Sequence, residues 1–196
     1  MAVNKKQKEK YNRVVKKYIT TKNVLLFLIA LVLFMIFSNA LKGILLLIFL
    51  FPLSRLTVKV TAFVPHITLE QYTSGTLLMT YLYGPSVGAL SGLSLGLYGY
   101  LSNSISKFLA LTNVFVCSFV GFLMGYLLKN GVFSNLSFTT FFIIGIVIFN
   151  VLAFIVFLFI DPDQVQNVVY RTSHLLFNTT ISVLFFNLIY LLFNLI

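Results

Sequence analysis

The chain has 196 residues, of which 59% are hydrophobic and only 9% charged, and its mean hydropathy is +1.00. An average soluble domain carries about 25% charged residues, so water is excluded as the main solvent; a bilayer admits only helices or a closed barrel as spanning structures. The net charge of +10 is a tail rather than a field: residues 1–22 hold eight Lys or Arg against Glu9 and carry +7, which speaks against a basic nucleic-acid-binding module.

Unbroken apolar runs at 24–37 and 141–160 lack the in-out alternation of barrel strands. The expected fold is therefore all-α, a polytopic transmembrane helix bundle over 23–196 preceded by a basic cytoplasmic tail over 1–22. In the tail Tyr11, Val14, Val15, Tyr18 and Ile19 recur at helical spacing, with Lys10, Arg13, Lys16 and Lys17 between them. This is the pattern of an amphipathic helix lying on anionic lipid, attracted by about 1 kcal/mol per basic residue. The positive charge places the N-terminus on the cytoplasmic side of a cell membrane. A signal-peptidase site at Ser38-Asn39-Ala40 is the alternative, but the apolar stretch resumes at Ile44.

The first span starts near Asn23 and is interrupted at 38–43 by Asn39, Lys42 and Gly43. Either one long bent helix runs over about 23–53, or two helices meet at the break. Later spans are expected at about 70–83, 86–102, 107–128, 138–160 and 170–194, six in all with both termini inside, or seven if the first run is divided. Gly84, Gly88, Gly92 and Gly96 repeat every four residues, and Gly121 and Gly125 form a second pair; both predict close helix packing.

Catalytic patterns are sparse. There is no HExxH, GxSxG or Walker motif, the only imidazoles are His66 and His174, and the single cysteine, Cys117, rules out an internal disulfide. No enzyme activity, metal or cofactor is expected. Ionisable and amide groups within spans are the informative residues, because a charge at the bilayer centre costs at least about 2.5 kcal/mol. Arg171, His174, Asn178 and Ser182 are spaced three, four and four apart, one polar stripe that should face the bundle interior, with Asn150 facing the same space. The stripe serves either a ligand or interhelical hydrogen bonds. Glu70, with Gln71, Tyr98 and Tyr100, either lines a cavity mouth or simply favours a helix N-terminus.

Val64-Pro65-His66-Ile67-Thr68-Leu69-Glu70-Gln71, followed by Leu82-Tyr83-Gly84-Pro85-Ser86-Val87-Gly88-Ala89-Leu90-Ser91, resembles the substrate-binding S components of energy-coupling factor transporters, nearest to the biotin type. A fainter likeness lies at 159–166, where Asp163 falls on the family's acid and Gln166 on its lysine; Glu70 stands where the family has glutamine. The resemblance implies six helices that capture a vitamin-like small molecule, partnered by an energy-coupling transmembrane subunit and a pair of ATPases. On that reading Thr68, Glu70, Gln71, Tyr98, Asn150, Asp163, Arg171, His174 and Asn178 supply the substrate contacts. The rival expectation is a non-catalytic membrane scaffold, of the kind rod-shape-determining subunits provide, in which the polar residues only join helices.

Overall fold

A computed structural model describes residues 39–63, 70–100, 107–160 and 164–195, together with Ile29 and Val32. By backbone packing the chain divides into Met1–Lys42 with Ile196, and Gly43–Leu195. The basic tail and the start of the first span lie outside the described residues. Within these residues all regular structure is helical: α1 Asn39–Phe63, α2 Tyr72–Tyr83, α3 Pro85–Tyr100, α4 Lys107–Lys129, α5 Phe138–Ile160 and α6 Gln164–Phe177. A π-helical turn, Asn178–Ser182, carries α6 on into α7, Val183–Leu195.

Among the described residues, four stretches are long and apolar enough to cross a membrane: Leu41–Thr61, Ala110–Lys129, Phe138–Ile160 and Val165–Asn194. A 23-residue helix is about 35 Å long, enough for a hydrocarbon layer of about 30 Å. The spans expected near 70–83 and 86–102 are present as α2 and α3; the 12 residues of α2 reach only about 18 Å, and the 16 described residues of α3 about 24 Å. The first run also differs from expectation. The described helix α1 includes residues 39–43 of the expected break and runs on past Pro52 to Phe63, beyond the end expected near 53. Proline removes one ladder hydrogen bond, and one lost bond does not end a helix where lipid offers the backbone no other partner.

Buried without interruption from Tyr72 to Thr80, α2 packs against α3, α4, α5 and α7. That central position explains why it has no polar face turned outward. Its end is set by Gly84, whose φ of 87° and ψ of −172° lie in a region essentially reserved for glycine. Its N–H closes the helix on the Thr80 carbonyl at 2.8 Å, and Pro85 then opens α3, where a missing N–H costs nothing. Gly84 therefore makes the turn, and its carbonyl carbon also lies 3.1 Å from where a Cβ on Gly125 would stand, within the packing face expected to start there.

The other glycines continue that face. A Cβ on Gly121 would stand 2.7 Å from the Gly88 carbonyl oxygen, one on Gly92 2.8 Å from the Ser118 Cα, and one on Gly125 2.6 Å from the Pro85 Cα. The two glycine series thus face each other across α3 and α4, and backbone meets backbone. At the far end of α4, Gly131 with φ 81° accompanies Gly131 N–H to Leu128 O at 3.2 Å and Val132 N–H to Leu127 O at 3.0 Å, the paired bonds of a Schellman stop. Ser137 then caps α5 by accepting from the Thr140 N–H at 3.2 Å. Phe141, Phe142, Phe149 and Phe186 fill the core, while Phe159, Val165 and Leu184 are over 70% exposed on the outside. An apolar exterior of this kind is matched to lipid.

Candidate functional site

The polar side chains of the interior come mainly from two segments, the start of α2 and the length of α6 through the π turn. α2 begins with Gln71 in helical conformation and no side-chain cap, so Glu70, Gln71, Thr73 and Ser74 enter the bundle instead of capping the helix, and all four are buried. From the other side, Asn167, Arg171, His174, Asn178 and Ser182 are buried at three- and four-residue intervals. The stripe read from sequence does face inward. The π turn has a local cause: Asn178 Nδ2, Thr179 Oγ1 and Thr180 Oγ1 bond back to the carbonyls of His174, Leu175 and Leu176 at 2.9, 2.8 and 2.6 Å. Three successive side chains compete there with the backbone ladder.

Direct bonds join the two segments. Gln71 Nε2 donates to Ser182 Oγ at 2.7 Å, and Ser74 Oγ donates to Asn178 Oδ1 at 2.6 Å. His174 Nδ1 meets Asn150 Oδ1 on α5 at 3.1 Å, while Asn150 Nδ2 donates to the Ile146 carbonyl at 2.8 Å. Because that second bond fixes Oδ1 as an acceptor, the His174 proton sits on Nδ1 and Nε2 is left with a lone pair. Arg171 Nη2 donates to Asn113 Oδ1 on α4 at 2.7 Å. Its guanidinium lies 4.6 Å from the Phe157 ring centre, 5.3 Å from Tyr170 and 5.8 Å from Phe149, the arrangement by which aromatic faces hold a desolvated cation.

Glu70 is 1% exposed, and its Oε2 accepts from the Tyr100 hydroxyl at 2.8 Å. Tyr170, Tyr72 and Arg171 are further neighbours of the same carboxyl. Of the two readings of Glu70, the helix N-terminus alone does not describe a carboxyl enclosed by tyrosines. Among the described residues several buried atoms here have no partner: Glu70 Oε1, Gln71 Oε1, Tyr72 Oη, Thr73 Oγ1, Asn167 Nδ2, Arg171 Nε and Nη1, and His174 Nε2. An unpaired buried polar group costs about 1–3 kcal/mol. A molecule offering both an acceptor for Arg171 and a donor for Glu70 would relieve several of these at once.

Of the residues expected to contact substrate, Glu70, Gln71, Asn150, Arg171, His174 and Asn178 are brought together. Tyr98 is not: it is 36% exposed, its ring packed on Phe51 at 5.1 Å and under Arg55 at 5.6 Å. Residues two apart on a helix point to opposite sides, so Tyr100 takes the inward place. Thr68 and Asp163 lie outside the described residues. Sequence reading missed Thr73, Ser74, Asn113 and Tyr170. Ser74 follows Gln71 by three and Asn113 stands alone in an apolar span, signals that were present but weak.

Beside the cluster, a groove of about 270 Å³ opens between α5 and α6, lined by Asn150 and Arg171 together with Val151, Phe154, Val168, Thr172 and Leu175. Compared with known proteins, the chain matches no family model, no curated protein and no solved structure. It is a membrane-embedded helical protein with a buried polar centre.

Proposed function

We propose that the chain is the substrate-binding subunit of an energised uptake system, an S-component-like protein that captures a vitamin-like small molecule among α2, α5 and α6. In this reading six spans cross a cell membrane with the N-terminus cytoplasmic, and a transmembrane subunit with an ATPase pair drives release. The supporting observation is the convergence of Glu70 and Arg171, both almost fully buried and both with unpaired atoms. A protein does not gain stability from leaving such groups unpaired, so their retention fits a ligand that completes them.

The test is native mass spectrometry of the detergent-purified protein. A stoichiometric small molecule is expected on the wild type, and Glu70→Ala and Arg171→Ala are each expected to lose it while keeping helical circular dichroism. Copurification with an ATPase pair identifies the transport partners. The second reading, a scaffold, is favoured by the direct bonds Gln71–Ser182, Ser74–Asn178 and Arg171–Asn113, which join helices with no ligand between them. A ligand-free wild type, together with wholesale unfolding of both variants, selects the scaffold.

A further inference from the structure

We propose that the seam between α5 and α6 is a lateral binding site for a single-chain amphiphile carrying a carboxylate, taken from the lipid phase. The site goes beyond the capture reading and does not rest on it, although Arg171 borders both. Three observations carry it. The groove is lined by Val151, Phe154, Val168 and Leu175 with the polar Thr172, yet a buried cation and a buried amide, Arg171 and Asn150, line it too. A groove meant only for lipid tails has no use for a desolvated guanidinium there. Its volume of about 270 Å³ falls below the roughly 300–1,000 Å³ usual for small-molecule sites, room for part of one alkyl chain and not for two.

The third observation is the state of Arg171. It is 5% exposed, two of its three nitrogens have no hydrogen-bond partner, and the third bonds a neutral amide. Its guanidinium is otherwise held by aromatic faces, contacts that a long unbranched side chain exchanges by rotation, and the Glu70 carboxyl is a neighbour but not a hydrogen-bond partner. A carboxylate in the groove draws the guanidinium toward it and gains charge-assisted hydrogen bonds in a medium that strengthens them. The geometry also sets the ligand's direction. Arg171 stands six residues into the span that begins at Val165, about 9 Å below its start. Leu175 and Val151 lie deeper, so the head faces the α6 end and the chain points to the bilayer centre.

The protein has no tryptophan, so Phe154→Trp makes a unique reporter on the groove wall. In phosphatidylcholine vesicles, 9,10-dibromostearate should quench it with a saturable curve, whereas Leu184→Trp, on the exposed face of α7, should follow only the linear partition of the probe. Adding Arg171→Gln should weaken the saturable phase at least tenfold. Val168→Phe fills the groove at an exposed position and should abolish that phase with Arg171 and the fold intact. The proposal is overturned if Phe154→Trp and Leu184→Trp are quenched alike, if Val168→Phe leaves the curve unchanged, or if 9,10-dibromostearyl alcohol or a brominated phosphatidylcholine saturates at the same midpoint. Absence of a copurified vitamin-like ligand would overturn the capture reading and leave this result standing.

Discussion

Tyr100 and Tyr98 differ by two positions on α3 and by their entire environment: one donates to a buried carboxyl, the other packs on the outer face beneath Arg55. Removing the first hydroxyl takes a donor from a buried carboxyl oxygen, a loss of about 1–3 kcal/mol. Tyr100→Phe should therefore lower unfolding stability by that amount in mixed-micelle denaturant titrations, and Tyr98→Phe should stay within about 0.5 kcal/mol of wild type. The same logic governs Ser74 and Asn178. What matters at each of these positions is whether the partner remains buried after the change, not the polarity of the residue itself.

Among the elements, the pair α3–α4 depends on the absence of side chains. Gly92 has the Ser118 backbone where a Cβ would go, and Gly121 has the Gly88 carbonyl. Backbone atoms do not step aside as a flexible side chain does, so Gly92→Val and Gly121→Val should each destabilise by about 1–3 kcal/mol or more and broaden the unfolding transition. Gly84→Ala should also destabilise, by about 1–3 kcal/mol, for a different reason: nothing crowds its Cβ position, but its φ and ψ are closed to other residues. Gly84→Asn should destabilise about as much as Gly84→Ala, since asparagine's usual tolerance of the left-handed helical region gives no relief at this ψ.

At the scale of the molecule, α4, α5 and the continuous α6–α7 are three successive stretches of membrane-crossing length. The turn at 130–137 and the end of α7 must then lie on the same face of the membrane, and the start of α6 on the other. A cysteine introduced at Ser134, an exposed turn position, and one at Asn194 should react alike with an impermeant maleimide from one side only. Cys117 is buried and should stay silent. Opposite reactivity of the two sites would mean that either α5 or the continuous α6–α7 does not cross.

The sequence by itself determined the solvent, the helical class, the glycine faces and the inward polar stripe, because each follows from composition or from a period along one helix. Lys129 to Ser137 likewise announced a turn by its own residues. Only the tertiary structure decided which tyrosine meets Glu70, that Asn113 receives Arg171, and that α2 lies among the other helices, buried from Tyr72 to Thr80. Those outcomes depend on the rotation and depth at which separate helices dock, and the sequence of one helix carries no record of its neighbour's angle. The π turn belongs to both: its three back-bonding side chains are local, but Ser74 and Gln71 across the bundle are what hold Asn178 and Ser182 in place.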